Sequence, residues 1–316
     1  MNYPNYPYAN GVIKALDNDI LDYEKFQKLI NLDQDEFFKT LIDLGYGLNT
    51  SVDLESLIKS EHKKIREMFN ELAPNNELTD LFYLKNDAVN IKILYKQKLF
   101  NANFDVFLET GTISQEDLHD AVFNENYTNL EKDYDKLFEN IEKAIEDVDS
   151  SRLLSAKIDQ EIYNFIFEKL SWRDEALLTF YKARIDLSNV LTMIRSTNLG
   201  WEKAEFELMF VDGGKISKNI FLEAYNADSE DIVRIFANHY EGKISKVFDI
   251  YFKNKDLNNF EKNLDELLLE IIAAFNYDSL TIGPIINYYM KKEAEAQNIR
   301  IIFANANPEA SDLLKY

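Results

Sequence analysis

Apolar residues along this chain recur three and four positions apart. In the stretch 129–149, Leu130, Tyr134, Leu137, Phe138, Ile141, Ile145 and Val148 fall on one side of a helix, with acids and lysines filling the rest. The same spacing puts Leu84, Ala88, Ile91, Leu94 and Tyr95 on one stripe, and Ala183, Leu187, Val190 and Ile194 on another. Turn residues are scarce, with nine glycines and five prolines in 316 residues. An all-β chain needs more of the special backbone angles that Gly and Pro supply. The pattern predicts an all-α protein, and 46% hydrophobic residues give it material for real cores.

The helical pattern repeats. Gly-Thr-Ile-Ser at 111–114 and Gly-Lys-Ile-Ser at 214–217 each follow an acid, Glu109 or Asp212, and each opens onto a helical run. Aligning Ile113 with Ile216 brings Leu118 onto Phe221, and both segments close on an Asn. A fainter copy at 17–31 places Ile20 where Ile113 stands and closes on Asn31. A second landmark keeps step with the first: an acid and an Asn three apart, followed by aliphatic residues. These are Asp87 and Asn90, Asp186 and Asn189, and Glu295 and Asn298. A further Gly-Lys-Ile-Ser at 242–245 has no acid–Asn helix at the matching distance and reads as coincidence. The chain is thus expected to hold three similar helical domains, 1–108, 109–211 and 212–316, each of ordinary domain size.

On an ideal helix Asp87 and Asp186 fall at the border of their apolar stripes, with Asn90 a little beyond. A carboxylate there needs a partner: a helix N-terminus, a nearby base such as Lys85 or Arg184, or a tyrosine hydroxyl. Three roles are open to the acid–Asn pairs. They brace one helix to another, they face a common axis and present carboxylates to a partner, or they converge for acid–base chemistry.

Charge and missing parts narrow the function. With 56 acids against 35 bases the formal charge is −21, which repels phosphate backbones and argues against nucleic acid. The absence of cysteine removes disulfides, thiolate metal sites and cysteine nucleophiles. Residues 1–10 lack the basic and apolar regions of a signal peptide, and the most apolar window, 267–275, is too short to span a bilayer and contains Glu270. A soluble, intracellular protein is expected. His62, His119 and His239 are scattered, without a metal-binding spacing. Residues 147–152 begin like a calcium loop, but Arg152 stands where Gly is needed and Ile158 where the last Glu belongs. The Gly-Gly-Lys at 213–215 lacks the strand and first glycine of a phosphate loop. No dinucleotide fingerprint, nucleophile elbow or Asp-Asp-x-x-Asp cluster is present, so no cofactor, metal or catalytic set is expected.

Residues 8–21 and the helix segments 81–99 and 181–195 resemble the C subunit of the V-type rotary ATPases of bacteria and archaea, whose eukaryotic equivalent is the d subunit. The likeness covers the whole chain and includes the triplication. Lys14 departs from the family's usual Arg, and Glu295 stands in place of Asp. The resemblance implies three helical domains around a pseudo-threefold axis, shaped as a funnel. It implies a non-catalytic socket on the cytoplasmic face, joining the D–F rotor shaft to the membrane proteolipid ring and passing torque between them. One copy per complex and a monomer in isolation are expected. A generic helical adaptor and an all-helical enzyme with carboxylates on a central cavity are the competing readings.

Overall fold

A computed structural model describes residues 6–47, 53–73, 76–103, 107–131, 133–170, 174–305 and 308–316. The first five residues of the stretch that argues against a signal peptide lie outside these. Among the described residues every regular element is helical. The order is α1 (Pro7–Leu16), α2 (Tyr23–Gln27), α3 (Gln34–Asp43), α4 (Leu54–Leu72), α5 (Glu77–Phe100), α6 (Gln115–Asn124), α7 (Tyr134–Ile145) and α8 (Ser151–Leu170). There follow α9 (Glu175–Asn198), α10 (Lys203–Met209), α11 (Lys218–Ala224), α12 (Ser229–Ile235), α13 (Lys243–Asn254), α14 (Leu257–Ala273) and α15 (Gly283–Ala304).

Some of the acids serve the helix starts. Asp22, Asp33, Asp53, Asp174 and Asp228 each accept the backbone N–H of the third residue on, supplying a partner that the first helical turn lacks. The amphipathic stretch at 129–149 is helical only as α7, buried at Tyr134, Leu137, Phe138, Ile141 and Ile145. Leu130 falls outside it, since Asp133 takes a positive φ of 75° just before the helix begins, and Val148 lies beyond its end at Ile145. Among the described residues no helix is long and apolar enough to cross a membrane.

The chain groups into two compact units, one of residues 80–268 and one of residues 1–79 with 269–316. The division at 108 and 211 is one of sequence likeness, a separate matter from this grouping. In the unit that holds residues 1–79, α2, α3 and α4 pack on the second half of α15 through Phe26, Phe37, Leu41, Leu57, Ile299 and Ile302. Asn10 on α1 donates to the carbonyls of Asp278 and Thr281, at 3.2 and 3.1 Å, and so fixes α1 to the turn before α15. In the unit of residues 80–268, the Tyr181 hydroxyl of α9 donates to the Leu81 and Phe82 carbonyls of α5 at 2.6 and 3.0 Å. Ring contacts hold its short helices, as between Phe236 and Phe248 at 5.0 Å and Phe206 and Tyr225 at 5.0 Å.

Candidate functional site

The acid–Asn pairs sit on α5, α9 and α15, and the helices carrying them are enclosed. On α5 the eight residues Leu81 to Ala88 are all buried, and on α15 so are Gly283 to Met290. A single apolar stripe cannot describe a helix covered on every side. This corrects the sequence reading that put Asp87 and Asp186 on a border. Asp87, Asn90, Asp186, Asn189, Glu295 and Asn298 are each at most 2% exposed. Groups buried so deeply need complete hydrogen bonding.

The asparagines meet this need identically three times. Asn90 donates to the Leu108 carbonyl and accepts the Leu108 N–H, both at 2.9 Å. Asn189 does the same to Val211 at 2.8 and 3.0 Å, and Asn298 to Leu314 at 3.0 and 2.7 Å. A side-chain amide offers a donor and an acceptor on one plane, so it pairs with a backbone residue as a neighbouring strand would. Aspartate lacks the donor and leucine lacks both, which gives the Asn its place in each copy.

The carboxylates reach the next turn along. Asp87 accepts the Thr112 N–H at 2.8 Å, the Thr112 hydroxyl at 2.7 Å and the Ile113 N–H at 3.1 Å. Asp186 accepts the Lys215 N–H at 2.8 Å, the Ile216 N–H at 3.2 Å and the Tyr240 hydroxyl at 2.6 Å. The two sequence landmarks are therefore bonded to each other, the acid of one copy to the Gly-x-Ile-Ser of the next. The glycines follow from the same geometry. A Cβ on Gly111 would overlap Oδ1 of Asp87, and one on Gly214 would overlap Oδ1 of Asp186. Close approach, rather than a left-handed backbone, demands glycine at both places. Gly242 of the stray Gly-Lys-Ile-Ser differs, since it is a left-handed residue with φ 75°.

Glu295 holds the first copy with different chemistry. It accepts the Leu21 N–H at 3.2 Å and the Lys292 ammonium at 2.8 Å. Lys292 also pairs with Glu61 of α4 at 2.9 Å, and Glu61 in turn accepts the Gly47 N–H at 3.1 Å. Leu21, just before the α2 cap Asp22, thus occupies the place of Ile113 and Ile216, one residue beyond the Ile20 of the sequence alignment. Adjacent aliphatic residues hid that one-step register. The corresponding position to Gly111 and Gly214 becomes Asp19, which is exposed, and the longer glutamate arm reaches the turn without crowding it.

Electrostatics separate the ties further. Burial pushes Asp186 above the ordinary aspartate range, against the pull of Tyr240 and the two N–H groups. Burial also raises Glu295, outweighing Lys292. For Glu61 burial acts upward too, but Lys292 and the Gly47 N–H leave it below its ordinary value. Burial pulls Lys292 down, yet Glu295 and Glu61 on either side bring it up to about 12. Each carboxylate also has a tyrosine nearby, the kind of partner the sequence reading allowed without saying which tyrosine. Tyr240 bonds Asp186 directly, and the Tyr134 hydroxyl lies 3.4 Å from that of Thr112. Tyr46 lies beside Glu295 with Lys292 4.9 Å from its ring centre, but its buried hydroxyl has no hydrogen-bond partner among the described residues.

These side chains accept and align backbone groups; none is presented to solvent. Among the described residues no group of three or more His, Cys, Asp or Glu is placed to hold a metal. The three histidines lie apart, each beside an aromatic ring: His62 by Tyr289, His119 by Phe123 and His239 by Phe236.

Known proteins are similar in sequence to nearly the whole chain. The pattern of the ATP synthase (C/AC39) subunit family matches residues 9–305. The C subunit of the A-type ATP synthase of Methanosarcina acetivorans is 26% identical over 339 residues, covering 98% of this chain and 91% of the relative. The C subunit of the V-type sodium ATPase of Enterococcus hirae is 22% identical over 318 residues, covering 94% and 92%. The chain therefore belongs to the ATP synthase (C/AC39) subunit family, as a structural, non-catalytic subunit.

Proposed function

We propose that this protein is the central-stalk socket of a V-type rotary ATPase, seated on the cytoplasmic face and joining the D–F rotor shaft to the proteolipid ring. On this reading the three sequence repeats take up the threefold funnel that the family resemblance implies, and the six acid–Asn side chains act as braces. Torque passes through the chain while ATP is hydrolysed or made elsewhere in the complex.

The observation that carries the reading is the serial clamping of backbone by buried side chains. A torque-bearing part must resist shear, and here each long helix grips a following loop through an asparagine pair and a carboxylate. The ties follow a closed order: the first copy's acid holds the second copy, the second holds the third, and Glu295 holds the first. The charge of −21 supports steering of a basic partner surface.

Size-exclusion chromatography with light scattering, on this chain mixed with the D–F complex of its own organism, tests the reading. A one-to-one-to-one peak is expected. Separate elution at low and moderate salt, with and without the detergent-solubilised ring, would overturn it.

A further inference from the structure

The three carboxylate ties are unequal, and the inequality has a location. Across the first two, Asp87 and Asp186 each accept two backbone N–H groups and one hydroxyl. Across the third, Glu295 accepts one N–H, that of Leu21, at 3.2 Å. Its other bonded oxygen is taken by Lys292 of its own helix, whose second partner, Glu61, ties α15 to α4 and not to the turn. The asparagine clamps at Leu108, Val211 and Leu314 are equal, so the difference is confined to the acid tie. Side-chain burial does not account for the difference, with Leu21 and Ile216 both buried and Ile113 partly so.

Packing repeats the contrast. A cavity of about 230 Å³ is lined by Asp19, Leu21, Tyr46, Glu61 and Lys292. A second, of about 570 Å³, is lined by Asp17, Ile20, Leu21, Phe26, Leu313 and Tyr316. The Asp17–Asp22 turn therefore has space on two sides. In the other unit a cavity of about 280 Å³ is lined from α5, α8, α9 and α14, and no residue of the two Gly-x-Ile-Ser turns borders it. There the carboxylates press against glycines instead.

The Asp17–Asp22 turn is also bonded mainly to its chain neighbours, with Lys14 of α1 donating to Asp17. Asp22 caps α2, and the Lys25 ammonium donates to the Asn18 and Ile20 carbonyls, both at 2.8 Å. Beyond Glu295, the Tyr316 hydroxyl donates to the Leu21 carbonyl at 2.5 Å. Tyr46 stands beside Glu295 with an unused hydroxyl, where Tyr240 bonds Asp186. A turn bonded mainly to its chain neighbours, with two ties to residues distant in sequence and free volume around it, moves as a body.

We infer that the Asp17–Asp22 turn is a releasable seam in the series of ties, opening from Glu295 while the turns at Ile113 and Ile216 stay clamped. Its use, giving way as the shaft seats and locking afterwards, rests on the socket reading; the seam itself does not.

Amide hydrogen exchange on the isolated full chain, read by NMR at single residues, tests it. Two fewer hydrogen bonds to a carboxylate predict exchange at Leu21 at least ~10-fold faster than at Ile113 and Ile216. Leu108, Val211 and Leu314 serve as internal controls and should exchange alike. Equal protection of Leu21, Ile113 and Ile216 would overturn the seam, as would faster exchange throughout residues 1–79 that also takes in Leu314. Adding the D–F complex should slow Leu21 selectively. Bound shaft with Leu21 unchanged would overturn the locking role, whereas absent binding counts against the socket reading and leaves the seam standing on the first comparison.

Discussion

The unit of residues 80–268 and the unit holding residues 1–79 solve one problem in two ways. In the first, a short aspartate presses on a glycine and accepts two backbone N–H groups and a hydroxyl. In the second, a glutamate reaches further, meets one N–H and shares a buried lysine with a second glutamate. Neutral donors pin a carboxylate through geometry. An ionic triad holds it through charge, and two buried acids on one lysine leave a net negative charge that costs desolvation. The aspartate ties are therefore the stiffer kind.

The largest contrast expected is between the acids themselves. Asp186→Ala leaves two backbone N–H groups and a tyrosine hydroxyl without acceptors and should cost about 4 kcal/mol, with Asp87→Ala alike. Glu295→Ala strands only the Leu21 N–H, since Lys292 keeps Glu61, and should cost about 2 kcal/mol. Urea midpoints at constant m decide it; equal losses would erase the distinction between the two kinds of tie.

Next comes the lysine. Lys292→Met abandons two buried carboxylates and should cost about 3 kcal/mol near neutral pH. The folded protein holds the Lys292 proton more tightly than the unfolded chain does. Its stabilisation is thus complete below the ordinary value of 10.5 and lost as pH rises to about 12. That alkaline loss should vanish in Lys292→Met when stability is followed by urea titration against pH. An unchanged alkaline limb would show that Lys292 does not hold the triad.

Glycine sharpens the comparison on a smaller scale. Gly214→Ala displaces the Asp186 carboxylate and should cost about 2 kcal/mol, while Asp19→Ala at the matching exposed place should stay within about 0.5 kcal/mol. Melting temperatures of the two variants separate these outcomes; equal shifts would refute the close-approach explanation of the Gly-x-Ile-Ser mark. Smallest of all, Tyr240→Phe should cost about 1 kcal/mol, whereas Tyr46→Phe, whose hydroxyl has no partner among the described residues, should be neutral in the same denaturation assay.

The helical class was legible because apolar spacing at Leu137, Phe138, Ile141 and Ile145 survives intact into α7. The acid–Asn pairs and the Gly-x-Ile-Ser marks were legible as landmarks because they recur in step. That Asp87 bonds Thr112 and Ile113 was hidden, since residues 25 and 26 positions apart meet only through tertiary folding. Burial was misjudged because projecting a helix on one stripe assumes one covered side, and α5, α9 and α15 are covered nearly all round. Glu61 and Lys292 carried no signal at all: their pairing joins α4 to α15, and either residue alone reads as a solvated charge.

The most direct measurement is ATP-driven ion transport by the complex purified with and without this chain, alongside ATP hydrolysis by its catalytic head. Without the chain, hydrolysis is expected to persist while transport falls to background, and adding the chain back should restore it. Transport undiminished by its absence would contradict the socket role.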